Sequence, residues 1–490
     1  MKTMRQTAIG LTLALTSAAL LTLAFPPHNL GLLIWVGFIP MLVAQYRILP
    51  AKISSLASAV TIGGWLGVML VPMFGGKSIF MAAIPLLAGA LAFLADKEKR
   101  AFHQHTAYRW FITEGVMGWV GLEMIRSFIP ALGTWAFVGY PLWNQPWLIQ
   151  PLSVFGIFGL DLLIMLCNFT LAQGLFILLD KKWISDDVPL VEPHTTRLWL
   201  LVFGILLIAW IGLSLGLYSI STPNMPTMRV AAIQPDLPRA AHRDTSTPPE
   251  QRFAILTALT RDATAQGAQI VVWPEMSLAF DPQVEHTPEL QSLAAETQTY
   301  IVIGYVLDNK QGFRNEATVL VPSGEFLGIY GKTHPTVFSG EPQTVGNHAY
   351  PVYDTPLGKL ATLICFDADF PDVARRFSRQ GAQVIADPSL FGSSIAEMPY
   401  TQIVFRAIEN RIAIVMADVA YNSAIVDPYG HVLELVITPE GSQALLIADM
   451  PLGTGNTLYS RFGDWLGWLS LAIMIFFVVT IQMCSKKGKS

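Results

Sequence analysis

Ile270-Val271-Val272-Trp273-Pro274-Glu275 is the stretch on which the fold turns. Three β-branched residues and a tryptophan suit a pleated strand buried on both faces, and the run is too short for a helix. Pro274 cannot extend a hydrogen-bonded ladder, so the strand stops there and leaves the Glu275 carboxylate at its end. Similar short apolar runs recur at Arg229–Ile233, Ile301–Tyr305 and Leu360–Cys365, separated by polar, helix-like stretches. Residues 227–455 therefore read as an α/β domain of about 230 residues.

The flanks read differently. A membrane-crossing helix needs ~20 apolar residues, because ~30 Å of hydrocarbon is crossed at ~1.5 Å per residue. Seven such segments precede residue 222, at 7–25, 29–46, 55–73, 79–95, 110–128, 154–179 and 198–219, and an eighth lies at 463–483. The expected plan is a seven-span membrane domain over 1–222, the α/β domain over 227–455, a closing span at 463–483 and a basic tail over 484–490. Lys2 and Arg5 before the first apolar run also fit a secretory signal, but Phe25-Pro26-Pro27 is a poor cleavage site, so the run is read as a span.

Composition agrees. Of 490 residues 52% are hydrophobic and only 13% charged, about half the share of an ordinary soluble domain. The net charge of −4 gives no basic face for nucleic acid. Cys167, Cys365 and Cys484 are too few and too scattered for a disulfide framework or a zinc site. On one side of the expected membrane fall fourteen Lys and Arg, including Arg47, Lys99, Arg100, Lys181 and Lys486, against Lys77 and Arg126 on the other. The positive-inside rule then places both termini in the cytoplasm and the α/β domain across the membrane. That placement disfavours ATP chemistry, and no Walker or Gly-x-Gly-x-x-Gly pattern is present.

Several membrane-side residues are candidates to face lipid or substrate. Trp135, Tyr140 and Trp143, in the connection 129–150, carry amphipathic rings suited to headgroup depth, where a plain interfacial belt is the simpler reading. Glu123 and Arg126 lie three apart near the end of the fifth span and are expected either to pair on one helix face or to face a wet cavity at headgroup depth.

Two further patterns join Glu275. Tyr330-Gly331-Lys332-Thr333-His334 places a lysine just after a turn, and Leu363-Ile364-Cys365-Phe366-Asp367 a cysteine at the end of an apolar strand. Each alone has a bland reading: a solvated strand end, a surface lysine, a packed thiol. Functional groups of α/β folds gather at strand ends, so the three can converge. A thiolate is a strong nucleophile that is scarce at neutral pH, a carboxylate can take its proton, and an ammonium can stabilise an oxyanion.

The order Glu275, Lys332, Cys365, with Arg406-Ala407-Ile408-Glu409-Asn410 and Ser423-Ala424-Ile425-Val426-Asp427-Pro428 downstream, resembles the nitrilase (carbon–nitrogen hydrolase) superfamily. That resemblance implies an αββα sandwich inserted between spans seven and eight of an eight-span helical bundle. With the spans, and with Leu23-Ala24-Phe25-Pro26-Pro27, Glu123-Met124-Ile125-Arg126 and Thr457 to Trp465, nearly the whole chain is similar to the apolipoprotein N-acyltransferase family. The resemblance implies acyl transfer from a phospholipid, phosphatidylethanolamine by expectation, to the α-amino group of a diacylglyceryl-cysteine apolipoprotein. It implies Glu275 as general base, Lys332 as oxyanion stabiliser, Cys365 as nucleophile, a ping-pong thioester cycle and no cofactor or metal.

Three departures stand out. Glu341 follows Lys332 by nine residues where the family has its second glutamate at eight; Asp367 stands where Glu is common; and the family's Asn-Asp-x-Trp-Phe-Gly loop is Asp387-Pro388-Ser389-Leu390-Phe391-Gly392. Glu341 and Asp367 are supporting candidates and Phe391 a lipid-facing one. The altered loop leaves open a membrane-tethered amidase, an acyltransferase using another amine, and a non-catalytic lipid-binding relative.

Overall fold

A computed structural model describes residues 2–73, 79–183, 191–219, 225–345 and 349–487. Lys77 of the charge argument lies outside them, as do residues 220–224 at the expected domain boundary.

The short apolar runs are strands. They form two six-stranded sheets, one ordered β12-β1-β2-β3-β4-β5 and the other β11-β10-β9-β8-β7-β6. The first comprises β1 Thr227–Pro235, β2 Ile270–Val272, β3 Tyr300–Asn309, β4 Gly312–Leu320, β5 Phe326–Gly331 and β12 Gln443–Pro451. The second comprises β6 Val352–Thr355, β7 Gly358–Thr362, β8 Val384–Ser389, β9 Ala413–Asp418, β10 Asn422–Val426 and β11 Val432–Ile437.

Side-chain alternation sets the layers. Val230, Ala232, Ile270 and Val272 face inward and meet Val384, Ala386, Ala413 and Val415 of the other sheet. Ala231, Ile233 and Val271 face outward, against Leu256, Leu259 and Ala263 of the helix Pro249–Ala265 and Leu290 and Leu293 of the helix Thr287–Thr297. The outer face of the second sheet carries the helices Pro371–Arg379 and Pro399–Asn410, and the result is an αββα sandwich.

That second face does not end in solvent. All twelve residues of Pro399–Asn410 are buried, because the helix lies between the sheet and the membrane bundle. One apolar core runs from Ile385 and Met416 in the sheet through Ile403 and Phe405 to Phe137, Ile157 and Leu160. Polar side chains lock the same junction. Arg406 and Glu409 form a fully buried ion pair at 3.0 Å, and Glu409 also accepts from the Ile157 amide at 3.0 Å. Arg411 donates to Gln150 Oε1 at 2.7 Å. Asn168, from the sixth expected span, bridges to the second by donating to Ile34 O at 2.9 Å and accepting from the Phe38 amide at 3.0 Å.

Among the described residues six helical segments are long and apolar enough to cross a membrane: Thr3–Ala24, Gly31–Ile48, Ala51–Leu70, Leu152–Lys181, Pro193–Ser219 and Trp465–Cys484. The other two expected spans are the helices Ile79–Asp96 and Phe111–Arg126, of 18 and 16 residues. At ~1.5 Å per residue the latter falls short of the ~30 Å core. The segment near 29–46 is not one regular helix but a 3₁₀ turn at Gly31–Trp35, a short α-helix at Ile39–Val43 and a π-turn at Ala44–Ile48.

Candidate active site

The site is assembled from strand ends, as in other α/β folds. Glu275 follows β2, held where the β3 backbone comes close: a Cβ on Gly304 would run into Pro274 O, so only glycine fits there. The next residue, Met276, has φ of +48°. Lys332 directly follows β5, a strand end and not the turn expected from Tyr330-Gly331, since Gly331 still pairs with Glu316.

Cys365 also differs from expectation. Strand β7 ends at Thr362, and Cys365 opens a 3₁₀ turn, Cys365–Asp369, with φ of +53°. A cysteine rarely occupies this left-handed region, and the strain is held by the surroundings. The Cys365 amide donates to Asp387 Oδ1 at 2.8 Å. Asp367 sits behind the turn, accepting from Tyr330 Oη at 2.8 Å and from the His334 amide at 2.8 Å. Its role here is to fix the turn, and the shorter side chain reaches its donors without difficulty.

Glu275, Lys332 and Cys365 come together, each about 2% exposed. Lys332 Nζ donates to Glu275 Oε1 and to Glu341 Oε2, both at 2.8 Å. The one-residue offset before Glu341 therefore leaves its contact with the lysine intact. Asn315, on β4, completes the cluster: its Nδ2 donates to Glu275 Oε1 and to Glu341 Oε1, both at 2.6 Å. Asn315 sits on a strand without a motif around it, and only the sheet register brings it here. Asp387 opens the altered 387–392 loop, whose sequence alone does not reveal a contact with the Cys365 amide.

The electrostatics follow from burial. Desolvation pushes Glu275 above the usual carboxylate range, Lys332 opposes this, and the Glu341 charge adds to it. Desolvation would lower Lys332, but Glu275, Cys365 and Glu341 raise it well above its ordinary value. Burial opposes ionisation of Glu341 too, yet Lys332 and the Thr336 amide hold it below the usual range. Desolvation, then the Glu275 charge, pushes the Cys365 thiol well up against the pull of Lys332. Burial thus favours the neutral form of the Cys365 thiol and raises the basicity of the Glu275 carboxylate, while the neighbouring carboxylates favour the charged form of Lys332, an arrangement suited to proton transfer.

These groups open into a cavity of about 610 Å³. Its walls include Trp135, Leu132 and Phe391, and Leu70 and Ile84 from the bundle helices. Trp135 and Phe391 thus line the same cavity as Cys365. Tyr140, Trp143, Glu123 and Arg126 do not line it. Tyr140 Oη shares a 2.6 Å hydrogen bond with Thr134 Oγ1, which donates to Asp369 O at 2.8 Å and so ties the 129–150 connection to the cysteine turn. Trp143 Nε1 donates to Asn29 Oδ1 at 2.9 Å, and its ring packs edge-on against Tyr400. The expected Glu123–Arg126 pair is replaced by separate contacts. Glu123 accepts from Trp119 Nε1 at 2.9 Å, while Arg126 donates to Trp135 O at 2.7 Å and covers the Phe137 ring. The residues share a helix face, but the guanidinium is drawn toward the loop that carries Trp135.

Comparison with known proteins bears on the whole chain. Residues 229–458 match the carbon-nitrogen hydrolase family, and residues 17–170 match the apolipoprotein N-acyltransferase N-terminal domain. A curated apolipoprotein N-acyltransferase of Geobacter metallireducens is 29% identical, covering 94% of this chain and 93% of the relative. One from Thermotoga maritima is 23% identical over 98% and 95%. A nitrilase of Pyrococcus abyssi is 33% identical over 35% of this chain and 69% of its own length. A crystal structure of an amidase from Nesterenkonia sp. is 22% identical, covering 50% of this chain and 96% of the amidase at a TM-score of 0.40.

Proposed function

We propose, for a chain that belongs to the carbon–nitrogen hydrolase family and over most of its length to the apolipoprotein N-acyltransferases, that it moves an acyl chain from a phospholipid to the N-terminal amine of a lipoprotein through a thioester on Cys365. The observation that carries this reading is that the Glu275, Lys332 and Cys365 cluster opens into a cavity walled by membrane-helix residues Leu70 and Ile84. An acyl ester entering from the bilayer meets the thiol directly.

The chemistry balances in two halves. Glu275 takes the Cys365 proton as Sγ attacks the ester carbonyl, and Lys332 Nζ donates to the developing oxyanion. The ester C–O bond breaks, and lysophospholipid leaves with the proton returned by Glu275. The acceptor α-amine then attacks the thioester, its proton passes through Glu275 to the departing Sγ, and an amide is formed. Phosphatidylethanolamine is the proposed donor and a diacylglyceryl-cysteine apolipoprotein the proposed acceptor. Both are held in one membrane plane, which raises their effective concentration at the thiol.

We place the protein in the bacterial inner membrane with the catalytic domain on the periplasmic side and both termini in the cytoplasm. Arg47, Arg100 and Lys99 support this placement: they gather with Asp180, Leu49 and Glu114, whereas Gln150, Ser153 and Ile157 meet the α/β domain.

The test is acceptor-dependent release. Phosphatidylethanolamine and a diacylglyceryl-cysteine lipopeptide are mixed with the protein, and N-acyl lipopeptide and lysophospholipid are quantified. Equal amounts of both support the reading. Free fatty acid in place of N-acyl peptide, or turnover of simple amides alone, would assign the site to hydrolysis.

A further inference from the structure

The catalytic cavity has two cations that the reaction described above does not use. Arg239 and Arg243 are exposed side chains that line the same cavity as Cys365. They flank and enter a short 3₁₀ turn, Ala241–Arg243, just after β1. The turn is fastened to the catalytic end of β2, because the Ala241 amide donates to Met276 O at 2.9 Å, one residue past Glu275. Arg239 O is held in turn by Arg252 Nη2 at 3.0 Å.

Several carboxylates around the cavity are already engaged, while Asp236 and Asp308, which lie near the turn, make no ion pair with either arginine. Asp244 pairs with Arg252 at 2.6 Å and accepts from the Ser246 amide and hydroxyl. Glu341 and Glu275 are bound to Lys332, and Asp281 lies against Arg314. Among the described residues neither Arg239 nor Arg243 makes an ion pair within 4.0 Å. Two guanidinium groups are thus presented to the cavity without a fixed counter-ion, beside a wall that is otherwise largely apolar. That combination suits a ligand with an acyl chain and an anionic oxygen group on one molecule. Arginine offers paired N–H donors that match phosphate geometry.

Resting on the donor proposed above, we propose that Arg239 and Arg243 bind the phosphodiester of the donor phospholipid and thereby select phosphate-bearing esters for the first half-reaction. The apolar remainder of the wall argues for a lipid phosphate over a free anion. The acceptor is a diacylglyceryl thioether without phosphate, so the pair acts on thioester formation and leaves thioester aminolysis to other contacts. With one cavity serving both substrates in turn, this gives a chemical means of telling them apart.

The test uses the full chain in detergent micelles, comparing wild type with Arg239→Gln/Arg243→Gln. Acyl donors are phosphatidylethanolamine, phosphatidylglycerol and the phosphate-free ester p-nitrophenyl palmitate, and the rate of Cys365 acylation is followed by mass. Charge-assisted contacts of this kind predict that the double variant loses about tenfold or more of its selectivity for both phospholipids over the phosphate-free ester. Isolated acyl-enzyme is then mixed with the lipopeptide, and the aminolysis rates of the two proteins are expected to agree. Arg239→Lys/Arg243→Lys should regain part of the selectivity. A uniform fall across all three donors, or unchanged selectivity, would overturn the proposal, as would displacement of phospholipid by inorganic phosphate alone. Failure of the broader function looks different: wild type would then be acylated by p-nitrophenyl palmitate and by neither phospholipid.

Discussion

At the scale of single residues, the site is a buried charge cluster in which each group sets the next. As the proposed general base, Glu275 acts only when ionised, and burial raises its basicity. Activity should therefore fall with decreasing pH through a value above the ~4.3 of an ordinary glutamate, and a pH profile of thioester formation measures this. Asn315 donates to the ionised form of Glu275. Replacing it with Ala removes that donor, raises Glu275 further and moves the acid limb to still higher pH, a shift that a purely structural role would not produce. Glu275→Gln should lower the acylation rate by roughly 10²–10⁴-fold, the usual contribution of a positioned general base, with little change in folding. Glu275 and Cys365 were legible from the sequence because each follows a strand-like apolar run, and Lys332 from its flanks Tyr330-Gly331 and Thr333-His334, although these read as a turn where β5 in fact ends. Asn315 was not, since its meaning comes from the pairing of β4 with its neighbours.

At the scale of elements, the helix Pro399–Asn410 carries the most consequence. Its sequence mixes polar and apolar residues, yet every one is buried because one side meets the sheet and the other the bundle. Arg406 is fully buried and depends on Glu409 for compensation. Glu409→Ala should cost about 3–5 kcal/mol, the expense of leaving a buried charge unpaired, seen as a lower unfolding temperature in detergent. The short strands were readable because apolar runs of that length with abrupt Pro or Gly stops have few alternatives. The breaks in Gly31–Ile48 were hidden, because apolar composition alone does not distinguish a regular helix from a succession of 3₁₀, α and π turns. The left-handed Cys365 was hidden for a related reason: the apolar run Leu360–Cys365 continues to the thiol, whereas β7 ends three residues earlier.

At the scale of the molecule, the hydrophobic core crosses from the bundle into the second sheet without interruption. Residues 225–455 expressed alone should therefore expose the bundle-facing side of Pro399–Asn410 and associate, which size-exclusion chromatography would reveal as the absence of a monomer peak. The layout of helices, α/β domain and closing helix was legible from hydropathy. How the two parts join was not, because the junction is built from contacts between residues more than two hundred positions apart, such as Gln150 with Arg411 and Ile157 with Glu409. On the proposed function, this junction delivers a membrane ester to the Cys365 thiol. Intact-mass spectrometry of the purified chain incubated with phosphatidylethanolamine tests it most directly, alongside Cys365→Ala. One acyl-chain increment is expected on the wild type and none on the variant. A folded, lipid-loaded wild type that gains no mass, or a variant that gains as much, would contradict it.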